Sequence, residues 1–501
     1  MTISYLDLAV FFSYVAAILV FGSSFYFRNK DSESYTSGAG RLPSWVVGMS
    51  IFATFVSSIS FLAIPGKAYV SNWNAFVFSL SIPVASFMAV KFFIPLYRSV
   101  NSISAYTYLE LRFGLWASRY ASICYILTQL MRTGSILYLL VLPLNLMFGW
   151  DLATTIILTG SCVVIYSLLG GIQGVIWTDA LQGIVLIAGA LLCALMILTG
   201  LPQGVGQLIE IGMDSNKFSL GPFDSGLSDT SFWITLAYGL FINLQNFGID
   251  QNYVQRYMSA RTEKEAKSSA VFGSLLYIPV SLVFFFIGTA LYSFYQARPE
   301  LLPADLTGDQ VFPHFIVSQI PAGLTGLLIA AIFSAGMSTI STSINSTATV
   351  ILNDYYKRWR PEADNKSQMI VLYTASLVFG ICGTGVALAM INVKSALDAW
   401  WSLASIFSGG MLGLFLLGFF SRRASSINAF VGVVVGVLAI FWMSFSTSIF
   451  TDGFMEYLQS PFHVNLTIVI GTTVIFMVGF LLSKLVAGGD DARPSAVSDR
   501  P

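Results

Sequence analysis

The sequence predicts an all-α polytopic membrane protein of about 13 transmembrane helices, and three observations carry that expectation. Of the 501 residues 55% are apolar and only 10% are charged, against roughly 25% charged in soluble domains. Mean hydropathy is +0.75. Apolar runs of about 20 residues, the length a helix needs to cross the hydrocarbon core, recur along the chain between charged or Pro-, Gly- and Asn-rich breaks. A water-facing surface cannot be built from this composition, so soluble enzymes, secreted scaffolds and nucleic-acid binders are excluded.

Taken in order, the breaks divide the chain into spans near 4–27, 44–70, 73–98, 117–148, 152–169, 175–200, 229–257 and 268–296, then 321–352, 367–392, 396–421, 425–447 and 462–486. The first positive charge, Arg28, follows the first run, which therefore reads as a retained span rather than a cleaved leader. The segments near 201–228 and 297–320 contain Pro, Gly and Asp and are expected to hold short helices or lids. Residues 1–486 read as a single transmembrane unit, with core repeats at about 44–200 and 229–421, and the polar residues 487–501 as a disordered cytoplasmic tail.

Lysine and arginine set the orientation, because cytoplasmic loops accumulate them. With the N-terminus outside and the C-terminus inside, 20 of the 25 basic residues, Arg98, Arg256 and Lys264 among them, fall on the cytoplasmic side. Four, Lys67, Lys217, Arg298 and Lys394, fall outside, and Arg132 lies within a span. That topology places the chain in the plasma membrane. The four cysteines lie in apolar runs without paired spacing, where cysteine packs as a small hydrophobe. Two histidines and no cluster of ligands argue against a metalloenzyme, and no span sets a nucleophile beside a base.

Interrupted spans point to function, since non-helical backbone within a membrane is tolerated only where it is buried or lines a cavity. The second span carries hydroxyls at its centre, including Ser57, Ser58 and Ser60, and is expected to end at Pro65 and Gly66. The seventh carries Asn243, Gln245, Asn246 and Gly248 at mid-depth. Interrupted helices at corresponding positions of two halves are the mark of an inverted-repeat transporter that binds its cargo near the midplane. Helix-bridging by small polar residues is the competing explanation.

In the ninth span Ser338, Ser341 and Thr342 stand at i, i+3 and i+4 on one helical face, with Thr339 beside it. Such a face offers neutral oxygens to a hard monovalent cation. Asp179, near the start of the sixth span, is either a functional intramembrane acid or a helix-start acid stabilised by the N-terminal dipole. Arg132 sits about halfway along the fourth span, too deep to snorkel easily. Its guanidinium fork requires an anionic partner, either a protein acid or a solute carboxylate.

At these residues the chain resembles the sodium/solute symporter family, and within it the bacterial sialic acid symporters. The resemblance rests on FATFVSSISFLAIPGKAY, GGIQGVIWTDALQG, NFGIDQNYVQRY, AAIFSAGMSTISTSINS and SGGMLGLFLLGFF, in that order over nearly the whole chain. It implies the five-plus-five inverted-repeat fold, with the first span outside the repeat, and alternating access between the two sides of the membrane. It also implies a first sodium held by the carbonyls of Ala53, Val56 and Ala335 and the hydroxyls of Ser338 and Thr339. A second sodium, present in part of the family, would use Asp179, Ser338, Ser341 and Thr342. Ser57, Ser60 and Arg132 match carboxylate-binding positions. Phe55, Ala75 and Ser79 depart from those relatives, which carry a threonine, an aromatic and a glutamine there.

The expected activity is therefore sodium-driven uptake of a small organic solute bearing a carboxylate, such as sialic acid, with Ser79, Asn243, Gln245 and Asn246 as further candidate solute contacts. Its partners would be the solute, one or two sodium ions and the lipid bilayer, with neither nucleic acid nor an obligate protein partner. Another organic acid, a sugar or an amino acid is the alternative cargo. A proton-coupled cycle in which Asp179 titrates is the alternative mechanism.

Overall fold

The computed structural model describes residues 4–485 apart from 30, 225, 228, 304, 305, 307, 393–395 and 451–455, so the expected tail at 487–501 lies outside the described residues, as do Lys30 and Lys394. The described chain is helical, and its one β-bridge joins Leu42 to Ala260. The principal helices are α1 (Tyr5–Ser24), α2 (Ser44–Phe55), α3 (Ile59–Val70), α4 (Trp73–Val100), α5 (Leu115–Phe148), α6 (Leu152–Gly200) and α7 (Phe232–Ile249). They continue with α8 (Gln251–Ser259), α9 (Glu263–Ala297), α10 (Leu324–Val350), α11 (Asn365–Ala389), α12 (Ala396–Phe420), α13 (Ser426–Ile449) and α14 (Leu466–Leu485). Among the described residues nine helices are long and apolar enough to cross a membrane, or ten if the bent pair α2 and α3 forms one span.

Many of these helices start where a short polar side chain can satisfy a free backbone N–H. Ser4, Asp151, Ser231, Thr262, Asp364 and Ser425 each accept from an amide two or three residues on. The segments expected to hold short helices contain Gly204–Asp214 and Gly308–Gln319.

The breaks differ in place from those read in the sequence. The second span does not end at Pro65 and Gly66. It leaves helical geometry at Val56, where ψ is 124°, and resumes as α3 with a bend of 59°. Pro65 stands inside α3, directly after its π-helical first stretch Ile59–Ala63, where the usual i to i−4 ladder is already interrupted. The seventh span stays helical through Asn243–Gly248 and breaks at Asp250. There the Asp250 carboxylate accepts from Asn252 N at 2.8 Å and caps α8, satisfying a new N-terminus that the amides upstream could not.

The 49 residues of α6 would extend about 74 Å as a straight helix, far more than one bilayer. Gly171, at φ 54° and ψ −165°, breaks it between the two spans expected from the sequence. That geometry is almost confined to glycine, and a Cβ here would lie 2.9 Å from both Asn29 and Tyr35.

At the centre stands α10, buried over nearly its whole length and flanked by α6, α5, α1 and α11. Its many hydroxyls therefore face protein rather than lipid. One end of α10 is braced by α1, since Asp7 Oδ1 accepts from Gly323 N at 2.7 Å and Gly326 N at 2.8 Å.

Candidate functional site

The break between α2 and α3 leaves the last carbonyls of α2 without helical partners, the situation that attracts a cation to a helix C-terminus. Arg132, from the middle of α5, donates Nη2 to Thr54 O at 2.8 Å. It makes no ion pair among the described residues. Arg132 also lines a cavity enclosing about 1010 Å³ including its mouth. Ser57 and Ser60 line the same cavity, with Ser57 N donating to Ser60 Oγ at 3.4 Å.

Ser79, Gln245 and Asn246 also line it, Ser79 Oγ lying 3.0 Å from Ser281 Oγ. Asn243 does not. It is buried between helices, with its side-chain amide donating to Phe78 O at 3.2 Å and to Ser81 Oγ at 3.0 Å. An aromatic wall completes the chamber. Phe55 stacks on Phe247 with ring centres 5.2 Å apart and meets Tyr277 edge-on at 4.4 Å.

Several lining residues were missed in the sequence, Gln129, Asp250 and Lys67 among them. Gln129 shares the face of α5 that carries Arg132, three residues away, and that spacing was a usable signal. Asp250 was overlooked because only the middles of the broken spans were searched for acids. It accepts from Gln129 Nε2 at 3.1 Å and stands within electrostatic reach of Arg132, so an acid does face the arginine's cavity. Lys67, assigned to an outer loop, also lines the chamber.

Behind the same break lie the oxygens proposed from the resemblance for a first ion. Thr339 Oγ1 lies 3.4 Å from Val56 O and 3.1 Å from Ala335 O, so a hydroxyl and two carbonyls from two helices converge in a fully buried place. Ala53 is buried as well. Ser338, the remaining candidate, turns its hydroxyl to Asp179 Oδ1 at 2.7 Å.

Asp179 is the centre of a second polar cluster, and the structure supplies a partner that the sequence did not suggest. Arg256, counted with the cytoplasmic loop residues, is instead wholly buried on α8. Its Nη2 lies 2.7 Å from Asp179 Oδ2 and donates to Thr342 Oγ1 at 2.6 Å. Its Nε donates to Ser50 Oγ at 2.7 Å, and Ser50 in turn donates to Asp179 Oδ2 at 2.6 Å. A guanidinium can lie this deep because its charge is paired and its N–H groups find acceptors. Ser338 and Thr342 join this cluster directly, whereas Ser341 Oγ donates to Ser338 O at 3.0 Å. Among the described residues no three His, Cys, Asp or Glu side chains group as metal ligands, so any ion here must be held by hydroxyls, carbonyls and one acid.

The chamber has a second cavity next to it. Lys67 and Ala75 line both, and the second, of about 1150 Å³ including its open mouth, is walled by residues such as Asn72, Pro222, Thr230 and His463 at one end of the bundle. The helix α8 is almost entirely buried.

With that geometry in view, the likeness to known proteins is specific. The sodium/sialic acid symporter SiaT of Proteus mirabilis is 37% identical over 441 residues, covering 87% of this chain and 89% of that protein. The sodium/sialic acid symporter NanT of Aliivibrio fischeri is 33% identical over 488 residues, covering 97% and 93%. A Na+-coupled sialic acid symporter solved in a substrate-bound, outward-open state with a novel Na+ site superposes with a TM-score of 0.89 at 34% identity, covering 97% of this chain and 98% of that one. Residues 35–436 match the sodium:solute symporter family, and on that match and those relatives this chain belongs to it.

Proposed function

We propose that this protein imports a carboxylate-bearing solute, sialic acid foremost, by sodium-driven symport through alternating access. The single observation that carries the reading is the position of Arg132, a guanidinium opening into a central cavity beside Ser57 and Ser60 at the break of a membrane helix. A bidentate fork suits a carboxylate. The relatives named for sodium and sialic acid support the same cargo and the same coupling ion.

In this reading the first sodium is held by the carbonyls of Ala53, Val56 and Ala335 and the hydroxyls of Ser338 and Thr339. Asp179, Ser338, Ser341 and Thr342 hold the second, beside Arg256. Coupling follows from shared backbone. Val56 belongs to the ion site and Ser57 to the solute site, so an ion that orders Val56 also presents Ser57, and by linkage the solute tightens the ion to the same degree.

The chain then crosses the membrane 13 times with its N-terminus outside. To the ten spans recognisable by length and hydropathy this adds the second half of α6, the helix α7 and the helix α12. Residues 1–486 form one transporter unit with repeats at about 44–200 and 229–421. The cavity walled by His463 and Thr230 is the outer mouth, and the buried α8 closes the path inward.

Proteoliposomes with an inward sodium gradient test the reading. Labelled sialic acid should accumulate above its external concentration, and choline replacing sodium at fixed pH should abolish accumulation. Uptake that follows a proton gradient without sodium, or that proceeds equally well with the methyl ester of the acid, would overturn it.

A further inference from the structure

Lys91 lies on the lipid-facing stripe of α4. Val84, Phe87 and Lys91 stand at i, i+3 and i+7 on one helical face, and all three are exposed. The lysine is nine residues short of the helix end at Val100, about 13.5 Å along the axis, which is nearly half the thickness of a hydrocarbon core of about 30 Å. The turn that carries it, Ala89–Phe93, is a π-helical widening of α4, a feature frequent at functional sites. Its ammonium lies over the rings of Phe87 and Phe92, 5.4 Å from each ring centre, and makes no ion pair among the described residues. A charge at such depth calls for an anion.

Two serine pairs fix how α9 lies against this helix. Ser79 Oγ is 3.0 Å from Ser281 Oγ, and Ser274 Oγ donates to Ser86 Oγ at 2.8 Å. Seven residues forward on α4 are thus seven back on α9, so the two run antiparallel and Lys91 is level with Ser269. Lys264 stands about five residues, roughly 7.5 Å, nearer the same end of the bundle. It shares an exposed stripe of α9 with Val271 and Leu275, at i, i+7 and i+11. Phe87 directly follows Ser86 and Leu275 directly follows Ser274, and antiparallel helices wind in opposite senses when viewed from one end, so both stripes turn to the same side of the seam. Nearby acids leave the two lysines unneutralised. Glu263 is held by Lys267, whose Nζ is 2.6 Å from Oε1. Glu265, about two and a half turns before Ser274, projects from the opposite face of α9.

We infer that the seam between α4 and α9 binds the headgroup of an acidic phospholipid, its phosphate held between Lys91 and Lys264 and its acyl chains lying along Phe87 and Val271. On the topology proposed above this is the inner leaflet, where basic pockets between membrane helices take anionic headgroups. The occupant is a lipid rather than a free anion because Lys91 is flanked on its stripe by Val84, Phe87 and Phe92, all exposed and apolar, so an anion that reaches it must be at home against hydrocarbon. The site adds a lipid partner of stated charge to the transporter and does not depend on which acid is carried.

Full-length protein taken from nanodiscs of mixed phosphatidylglycerol and phosphatidylcholine into detergent, and weighed by native mass spectrometry, tests the site. Phosphatidylglycerol should be retained in preference to phosphatidylcholine. The double variant Lys91→Gln/Lys264→Gln should lower its apparent affinity about tenfold or more, and Lys91→Gln alone by a smaller factor. Lys91→Arg/Lys264→Arg should keep the lipid, and so should Arg360→Gln, which removes an exposed cation outside the seam. Thermal unfolding in detergent gives a second readout: added phosphatidylglycerol should raise the unfolding temperature of the unaltered protein more than that of the double glutamine variant, and inorganic phosphate should not. Equal retention of the two lipids by the unaltered protein, or equal retention of phosphatidylglycerol with and without the two lysines, would overturn the site. Inorganic phosphate that stabilises as well as the lipid would overturn the lipid assignment in favour of a free anion.

Discussion

Arg256 reaches Asp179 with 2.7 Å between Nη2 and Oδ2, and neither side chain exposes any surface. The acid proposed to hold a second ion thus already carries a protein cation. Breaking a buried pair by removing one partner leaves an uncompensated charge and costs about 3–5 kcal/mol. Arg256→Ala and Asp179→Asn should each lower the unfolding temperature of the purified protein sharply. The double variant Asp179→Asn/Arg256→Gln should recover part of the loss, because no bare charge remains. If Asp179 also binds sodium, Asp179→Asn should reduce the charge moved per solute in reversal-potential measurements. Unchanged stoichiometry would make it a structural acid.

Thr339 offers a sharper ion test. Its hydroxyl lies between Val56 O and Ala335 O, in a place where a dehydrated cation has few replacements for a lost oxygen. Thr339→Ala should raise the sodium concentration for half-maximal uptake about tenfold or more by that reasoning, and Thr339→Ser should restore it. A normal sodium curve for correctly folded Thr339→Ala would remove this residue from the site.

Arg132 has two jobs that its variants can separate. Its bond to Thr54 O caps the broken helix, and the residue also lines the cavity. Arg132→Gln should cost about 2–5 kcal/mol of acid binding while leaving sodium binding measurable. Arg132→Lys should keep the charge but recover only part of the affinity, since a point charge lacks the fork. Equal loss of sodium and acid binding would make the cap the dominant role.

Asn243 provides the contrasting case. Its amide fastens α7 to Phe78 O and Ser81 rather than lining the chamber. Asn243→Leu would remove both bonds, at about 0.5–1.5 kcal/mol each, while Phe78 O keeps the bond it accepts from Ser81 Oγ. Thermal stability should fall, with little change in the solute concentration for half-maximal uptake. A large change in that concentration with stability intact would place Asn243 in the solute site after all.

Gly171 should tolerate no side chain. Its backbone lies in a region open almost only to glycine, and a Cβ would press on Asn29 and Tyr35. Gly171→Ala should reduce folded yield, measured by size-exclusion chromatography after solubilisation. An alanine variant of full yield would show that the two halves of α6 can join another way.

The helices, the hydroxyl face of α10 and the candidates Arg132, Asp179, Ser57 and Ser60 were legible in the sequence alone. All rest on local properties: the length of an apolar run, the period of a helix, or a charge where the bilayer forbids an idle one. Direction and partnership were not legible. Arg256 read as a loop residue because a basic side chain at the end of a span normally seeks the cytoplasm. Its partner Asp179 is 77 positions away, brought within reach only when α8 packs beside α2 and α10. For the same reason Asn243 turned away from the chamber while Lys67 and Asp250 turned toward it. Sequence period places a residue on a face, but packing decides what that face meets, and only tertiary structure could show which polar groups face the cavity and which satisfy one another.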